Sequence, residues 1–420
     1  MDASNIRYKQ LKILGQGTYG TVYLVKDLQT NQLLAVKRLL SPLLSNTNPW
    51  LMYQSLRELE LLALFKHKNV LGLKEAFLSS ERILPSEPNK YIYLVTDYYP
   101  FDLQRLIYSP AYLYRYQVKK IMYDIMRGLN YLHSRKIVHR DIKPGNVLGN
   151  HKGEYCLCDF SLTRGLDSIR DENYEHIFIQ EYANELTEGK PKAVPLRIPV
   201  KASFREKYSK DVVDNVVAKK RELTAHVMTR SYRAPEVILL EKYNTSIDIW
   251  GAGCIFGELL QTVREVKRNF KDRVPLFVGS YCYPLTKPPE EAKKDGKYAF
   301  PLEDDQITKI IQVIGIPPDK SIEFIRNKSA KKYMELLKTS NVIGLDKILP
   351  NLESEEKDLL KRLLEFNPEL RITAKQALNH PYFNSIKKNE DLTSDIIVME
   401  SVDNNKDKRA ILRKYCIDAP

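Results

Sequence analysis

A loop at residues 139–146 constrains this chain more than any other segment, because it places an acid, a base and an amide close together. Asp141 can accept a proton from an attacking hydroxyl, and Lys143 can neutralise a phosphoryl group during its transfer. Asn146 can bind a magnesium ion through its amide oxygen. The loop therefore predicts phosphoryl-transfer chemistry, although such a charged run taken alone is often a solvated turn.

Five further motifs accompany this loop, and their order along the chain strengthens the prediction. They are the glycine-rich run 15–22, the apolar run that ends at Lys37, the acidic Glu58, the turn 159–161 and the run 234–236. A glycine-rich loop by itself is often only a tight hairpin, whereas chance would rarely assemble all six motifs in this order.

The glycine-rich run suits phosphate binding. Without side chains at Gly15, Gly17 and Gly20, backbone N–H groups can approach phosphate oxygens closely. Lys37 follows on a predicted strand, and Glu58 on a predicted helix can pair with it, which a buried lysine requires. We expect this pair to direct the ammonium toward bound phosphate groups rather than to be a surface salt bridge without function.

A metal site is predicted where Asp159 follows the short apolar strand around Leu157. The Asp159 carboxylate and the Asn146 amide are oxygen ligands, and with phosphates and water they suit the octahedral preference of Mg²⁺. The expected metal ion is Mg²⁺.

Composition places the chain among ordinary globular proteins. With 420 residues it suits two or more lobes, and 43% hydrophobic and 28% charged residues argue against wholesale disorder. The net charge of +13 suits anionic partners, but no basic run interleaved with aromatic residues and no zinc-ligand spacing accompanies it. We predict no nucleic-acid partner, and five cysteines without metal-ligand pairing favour a reducing compartment.

No membrane association is expected either. The amino terminus lacks the apolar core of a signal peptide. The most apolar stretch, 247–260, carries Asp248 and Glu258 and is too short to cross a bilayer. We therefore expect a cytoplasmic or nuclear protein, or one found in both compartments.

The periodicity of apolar residues changes near residue 100. Before it, alternating runs at 11–14, 21–25, 33–36 and 91–95 predict a mainly antiparallel sheet, interrupted by one helix with apolar residues at 56, 59, 62, 63 and 65. After it, a helical stripe precedes the 139–146 loop, with members Val118, Ile121, Met122, Ile125, Leu129 and Leu132. The pattern predicts an α+β protein.

The six motifs together resemble the signature of the protein kinases. The resemblance implies a bilobal fold with a small, mainly antiparallel β N-lobe that contains one major helix, and a larger, mainly α-helical C-lobe. The expected divisions are an N-terminal tail at 1–7, the N-lobe at 8–100, the C-lobe at 101–385 with an activation-segment insertion at 165–221 and a surface insertion at 274–305, and a C-terminal extension at 386–420.

The resemblance also implies site residues. Those for catalysis are Asp141, Lys143, Lys37 and Glu58, and those for the metal are Asn146 and Asp159. Those for the nucleotide are Leu14, Gly15, Gln16, Gly17, Thr18, Tyr19, Gly20, Val22, Lys37, Thr96, Asp97, Tyr99 and Asp102.

Two features narrow the kinase class. Lys143 is similar to the lysine of serine/threonine kinases, and the run 224–236 resembles the end of the activation segment in mitogen-activated and cyclin-dependent kinases. The resemblance implies transfer of the ATP γ-phosphate to Ser or Thr hydroxyls of protein substrates, with proline after the target residue. An upstream activating kinase is the expected regulatory partner.

The branch within this group is predicted to be the mitogen-activated one. The runs 66–73, 366–373 and 380–383 and Cys158 before Asp159 are similar to that branch, with a weaker similarity at 402–416. The pair Thr18-Tyr19 instead resembles the cyclin-dependent branch, which would need a cyclin-like subunit, but no cyclin-binding signature precedes Glu58. A pseudokinase scaffold and a small-molecule kinase are further alternatives. The small-molecule kinase is disfavoured because Glu236 would pair with Arg371 to brace a platform for peptide binding.

Three positions depart from the family pattern. Ser161 replaces the glycine after Asp159-Phe160, which we expect to hinder flipping of this turn while the enzyme remains active. His226 replaces the tyrosine of the two-residue switch, so Thr224 alone is the expected phosphorylation site, with Arg57, Arg140 and Arg164 implied around it. Ser231 replaces a tryptophan of the substrate platform.

Overall fold

The computed structural model describes residues 7–17, 20–40, 49–78, 91–166, 230–285, 293–294, 297–298, 302–338, 340–386 and 414–416. Thr18, Tyr19, Thr224 and nearly all of the predicted insertion at 165–221 lie outside these residues.

The N-terminal part is a five-stranded antiparallel sheet, as predicted. Its strands are β1 (Tyr8–Gly17), β2 (Gly20–Asp27), β3 (Leu33–Leu40), β4 (Leu73–Phe77) and β5 (Tyr91–Asp97), in the order β1-β2-β3-β5-β4. Each neighbouring pair is antiparallel.

Alternation of side chains explains why this sheet forms. Successive residues of a strand point to opposite faces, so Val25, Val36 and Val95 meet on one face together with stacked aromatic rings. The rings of Phe77 and Tyr93 stack with centroids 5.1 Å apart. The sheet thereby gains a small apolar core of its own.

The predicted helix of this part is α1 (Pro49–Leu64). Leu56, Leu59 and Leu62 are at most 3% exposed and belong to the main hydrophobic core. Glu58 is 4% exposed as well, so a charged side chain of this helix is buried and needs a partner.

The C-terminal part is mainly helical. Its helices are α2 (Leu103–Ile107), α3 (Arg115–Ser134), α4 (Pro235–Ile238), α5 (Ser246–Leu260), α6 (Gln306–Ile314), α7 (Asp319–Ile322), α8 (Lys328–Leu337), α9 (Leu345–Ile348), α10 (Ser354–Leu363) and α11 (Ala374–Leu378). Short strands are β6 (Phe101–Asp102), β7 (Ile137–Val138), β8 (Val147–Gly149), β9 (Tyr155–Leu157), β10 (Arg164–Gly165), β11 (Lys293–Lys294) and β12 (Lys297–Tyr298). They pair as β6-β8-β9, β10-β7 and β11-β12. The α+β class with a sheet-rich first part and a helical second part is confirmed.

Helices α3 and α5 support the loop at 139–146. All six residues of the predicted α3 stripe are at most 1% exposed, which confirms the stripe as core packing. A Cβ at Gly251 of α5 would lie 2.7 Å from the Ile142 carbonyl oxygen, so only glycine lets α5 approach the loop this closely. The loop therefore rests on a rigid, buried helix.

The stretch 274–305 is not confined to the surface, which corrects the prediction of a surface insertion there. Phe277 and Cys282 are fully buried, and the Phe277 ring stacks on Trp250 of α5 at 5.4 Å. Apolar residues in a proline-rich, charged stretch are enough to anchor it to the core. Near the end of the chain, Cys416 is also buried in the main core.

Within the described residues, no helix combines the length and the apolarity that spanning a membrane would demand. All five cysteines are buried free thiols.

Candidate active site

Lys37 and Glu58 form the ion pair that the sequence predicts. The Lys37 Nζ lies 2.6 Å from Glu58 Oε1 and 3.9 Å from Asp159 Oδ1. Burial would lower the pKa of Lys37, but the two carboxylates outweigh it and raise this pKa above its ordinary value. The lysine is therefore held in its charged form between the sheet, helix α1 and the turn at 159–161.

The loops that carry Asp141 and Asp159 lie side by side. The Cys158 backbone N–H donates to the Asn146 carbonyl at 3.0 Å, and His139 Nε2 donates to the Cys158 carbonyl at 2.9 Å. These bonds join the residue before Asp159 to both ends of the 139–146 loop. The backbone segments that carry the two predicted metal-binding side chains therefore lie next to each other.

The Asp141 carboxylate is fixed by two side chains of its own loop. Lys143 Nζ lies 2.6 Å from Asp141 Oδ2, and Asn146 Nδ2 donates to the same oxygen at 2.9 Å and to the Asp141 carbonyl at 2.8 Å. Asp141 is 6% exposed, so these donors replace most of its contact with water. The predicted base, lysine and amide form one hydrogen-bonded cluster.

The turn at 159–161 holds its carboxylate in a defined orientation. Asp159 has a φ of +62°, and Phe160 is fully buried between Phe65 and His139, with ring centroids 4.7 and 5.1 Å away. Burial would raise the pKa of Asp159, but the Lys37 ammonium and the Ser161 hydroxyl hold it below its usual value. Asp159 is therefore ionised at neutral pH.

The glycine-rich run forms the hairpin of β1 and β2. A Cβ at Gly20, which has a φ of +141°, would lie 2.1 Å from the Arg38 carbonyl oxygen, so this position requires glycine. Val22 pairs with Lys37 across the β2-β3 register, so the hairpin lies beside the strand that carries the lysine. Leu14 and Val22 are half-buried, and Gly15 and Gln16 are exposed.

The remaining nucleotide residues of the prediction lie where β5 ends. Thr96 is buried and pairs with Ala35 of β3, whereas the Asp97 side chain is exposed and lies 2.9 Å from Lys74 Nζ. Burial raises the pKa of Tyr99 above its usual value, and the nearby Cys156 thiol adds to this shift. Asp102 caps α2, because its Oδ1 accepts the Arg105 backbone N–H at 2.8 Å.

One residue with a part in this site was missed by the sequence reasoning. Asp248 of α5 is 1% exposed, and its carboxylate accepts the backbone N–H groups of His139 at 2.9 Å and Arg140 at 2.8 Å. His133 Nε2 lies 2.9 Å from the same carboxylate. The signal was available, since a charged residue inside the most apolar stretch of the chain needs buried partners.

The structure gives the positions of the three arginines that are predicted to surround Thr224. Arg140 has a φ of +73° and is 8% exposed. Arg164 pairs with Val138, which lies two residues before Arg140. Arg57 precedes Glu58 on α1. Because Thr224 lies outside the described residues, the pocket stays a prediction.

The predicted pair of Glu236 and Arg371 is confirmed. Arg371 donates Nη1 to Glu236 Oε1 at 2.7 Å and Nη2 to Oε2 at 3.0 Å, and both side chains are fully buried. The pair joins the residues that follow the activation segment to the far end of the C-terminal part.

Comparison with known proteins agrees with this site. A sequence model of the family described as protein kinase domain matches residues 8–192 and 212–383. The mitogen-activated protein kinase hog-1 of Neurospora crassa is 31% identical over 90% of this chain and 78% of its own length. The mitogen-activated protein kinases HOG1 of Cochliobolus heterostrophus and of Gibberella zeae are each 31% identical over 90% of this chain and 79% of their own lengths.

A family match over most of the chain, together with relatives aligned over most of both lengths, decides the assignment. The chain belongs to the protein kinase family and, within it, to the mitogen-activated protein kinases, which are protein serine/threonine kinases that use ATP and a divalent metal ion.

Proposed function

We propose that this kinase transfers the γ-phosphate of Mg²⁺·ATP to a Ser or Thr hydroxyl of a protein, with the residues named above in defined roles. One observation carries the proposal: Lys37 bridges Glu58 and Asp159, next to the cluster of Asp141, Lys143 and Asn146. An ammonium for the phosphates, oxygen ligands for a metal and a fixed carboxylate for the hydroxyl are the parts that phosphoryl transfer requires.

The residues present fit Mg²⁺. The amide nitrogen of Asn146 is used by Asp141, so its oxygen is the group turned to other partners. The Asp159 side chain is 33% exposed, so its ionised carboxylate remains accessible from the cleft. Two oxygen donors leave room for phosphate oxygens and water in an octahedral shell. The ion would neutralise charge that develops on the transferred phosphoryl group.

The other roles follow from position. We assign to Asp141 the orientation of the substrate hydroxyl and acceptance of its proton, and to Lys143 stabilisation of the moving phosphoryl group. Lys37, oriented by Glu58, would bind the α- and β-phosphates, and the backbone of the glycine-rich hairpin would cover them. Thr96, Asp97, Tyr99 and Asp102 would line the adenosine end of the cleft.

The geometry favours a kinase that does not need a cyclin-like subunit. The Lys37–Glu58 pair is formed within a single chain, at 2.6 Å, with both charges largely withdrawn from water. A branch in which a partner subunit pushes the helix into place would have no need for this contact in the chain alone. We further propose Ser or Thr followed by Pro as the substrate motif, and a cytoplasmic or nuclear location without membrane association.

The first prediction tests the transfer and its motif. The full chain carrying phosphothreonine at Thr224, incorporated during expression, should phosphorylate a Ser-Pro peptide without any added subunit. The same peptide with Ala in place of Pro should show a kcat/KM at least about tenfold lower, because the pocket would lose its apolar contact with the proline ring. Activity only with a cyclin-type subunit, or equal rates on both peptides, would contradict the proposed branch or motif.

The second prediction concerns activation. The variant Thr224→Ala should lose about 10- to 100-fold in kcat/KM, because one phosphate ordering a loop makes one to three charge-assisted hydrogen bonds with arginines. Phosphatase treatment supplies the control: it should lower the phosphorylated wild type to the level of the variant and leave the variant unchanged. If the variant turns over substrate as fast as the phosphorylated chain, Thr224 is not the switch.

A further inference from the structure

Ser161 makes a contact that glycine, the usual residue at its position in the family, cannot make. Its Oγ donates to Asp159 Oδ1 at 2.8 Å, and the serine is 2% exposed. The buried hydroxyl donates to a carboxylate two residues earlier, and this is a specific, charge-assisted hydrogen bond. The substitution therefore adds an interaction as well as a Cβ.

The backbone around Ser161 accommodates the side chain without strain. The Thr163 N–H donates to the Phe160 carbonyl at 3.1 Å and closes a turn with Ser161 inside it. Asp159 has a positive φ in this segment, whereas Ser161 is not among the described residues with positive φ. An L-residue thus fits at 161, and the turn is anchored by the buried Phe160.

We infer that Ser161 is a positioning residue for magnesium-dependent nucleotide binding: its hydroxyl fixes the rotation of the Asp159 carboxylate that holds the metal ion. This inference rests on the proposed function, in which Asp159 is a metal ligand. It assigns to the departure from the family pattern a part in the site, beyond the stiffening of the turn expected from the sequence.

The distances explain how one bond can set the carboxylate. Oδ1 of Asp159 receives the Ser161 hydroxyl and faces Lys37 Nζ at 3.9 Å, so both polar neighbours act on the same oxygen. A carboxylate offers about four lone-pair positions over two oxygens, so these two neighbours leave positions for a metal ion. Fixing this rotation before binding removes an ordering cost that a freely rotating carboxylate would have at that step.

Two variants separate the hydroxyl from the Cβ. Ser161→Ala removes the hydroxyl and keeps the restricted backbone, and Ser161→Gly removes both. The matched control is Ser321→Ala, because Ser321 is 4% exposed and donates its hydroxyl to a carboxylate, Glu365 Oε1, at 3.0 Å in the helical part.

ATP binding to each full-length variant would be measured by calorimetry over a series of Mg²⁺ concentrations and, separately, in EDTA. We expect Ser161→Ala to raise the apparent Mg²⁺ dissociation constant about tenfold or more, as for loss of a hydrogen bond to a charged group, and to change ATP binding in EDTA by less than about twofold. In turnover assays, kcat at saturating Mg²⁺ should return close to that of the wild type. Ser161→Gly should weaken Mg²⁺ binding at least as much, and Ser321→Ala should bind Mg²⁺ and ATP like the wild type.

Three results would overturn the inference. The first is a Ser161→Ala variant with the Mg²⁺ dependence of the wild type, including the case in which only Ser161→Gly is impaired. The second is an equal loss of ATP affinity in Mg²⁺ and in EDTA for Ser161→Ala, which would indicate a structural role for Ser161. The third is a wild-type chain without Mg²⁺-dependent ATP binding, which removes the proposed function together with the inference and is thereby distinguishable from the first two.

Discussion

The variant Asp159→Asn is expected to lose about 10³-fold or more of its phosphoryl-transfer rate. The amide keeps the size of the side chain and a place for the Ser161 hydroxyl, 2.8 Å from Oδ1 in the wild type, but carries no charge. Several kcal/mol of charge stabilisation in the transition state depend on the metal ion, and about 1.36 kcal/mol corresponds to tenfold in rate. Initial rates with a Ser-Pro peptide at fixed ATP measure the effect.

A matched exchange elsewhere shows whether the loss belongs to the site. Asp346→Asn also replaces a carboxylate by an amide, but its side chain is 71% exposed and pairs with Lys357 on the surface of the helical part. We expect that variant to turn over like the wild type. Should Asp159→Asn keep a rate within about tenfold of the wild type while it folds normally, Asp159 does not hold the metal.

Local patterns carried most of the fold prediction. The α3 stripe could be predicted because its residues repeat at helical spacing, and burial of all of them follows from packing one face of a helix against a core. The pairing of Lys37 with Glu58 could be predicted because a buried ammonium has few stable alternatives to a carboxylate partner. Helical spacing in the first case and residue type in the second limit the number of physical solutions.

Contacts between distant segments were beyond prediction from local patterns. Asp248 lies more than 100 positions from the two backbone N–H groups that it accepts, and no spacing rule identifies amide partners. The Ser161 bond to Asp159 is local, but it depends on the rotamers of both side chains, which a sequence does not specify. The contribution of Phe277 to the core shows the same limit, because its stretch lacks periodicity.

The variant Arg371→Ala is expected to destabilise the kinase by about 3–5 kcal/mol, the cost typical of leaving one charge of a buried pair without its partner. Glu236 would remain fully buried without the two guanidinium bonds that it now accepts. Arg371 also donates to the backbone carbonyls of Ser246 at 2.9 Å and Glu365 at 2.8 Å, and these acceptors would be stranded as well. The loss in the free energy of unfolding is expected to be this large because the site is buried, so water cannot replace the lost donors.

A second arginine makes the comparison decisive. Arg362 pairs with Asp358 at 3.0 Å, but the two side chains are 58% and 50% exposed, so Arg362→Ala should cost no more than about 1 kcal/mol. Urea denaturation followed by tryptophan fluorescence measures both variants, and Trp250, whose ring lies 5.1 Å from the Arg371 guanidinium, reports on the site of the change. Equal losses in the two variants would mean that burial does not set the value of the Glu236–Arg371 pair, and that the platform after the activation segment is held by other contacts.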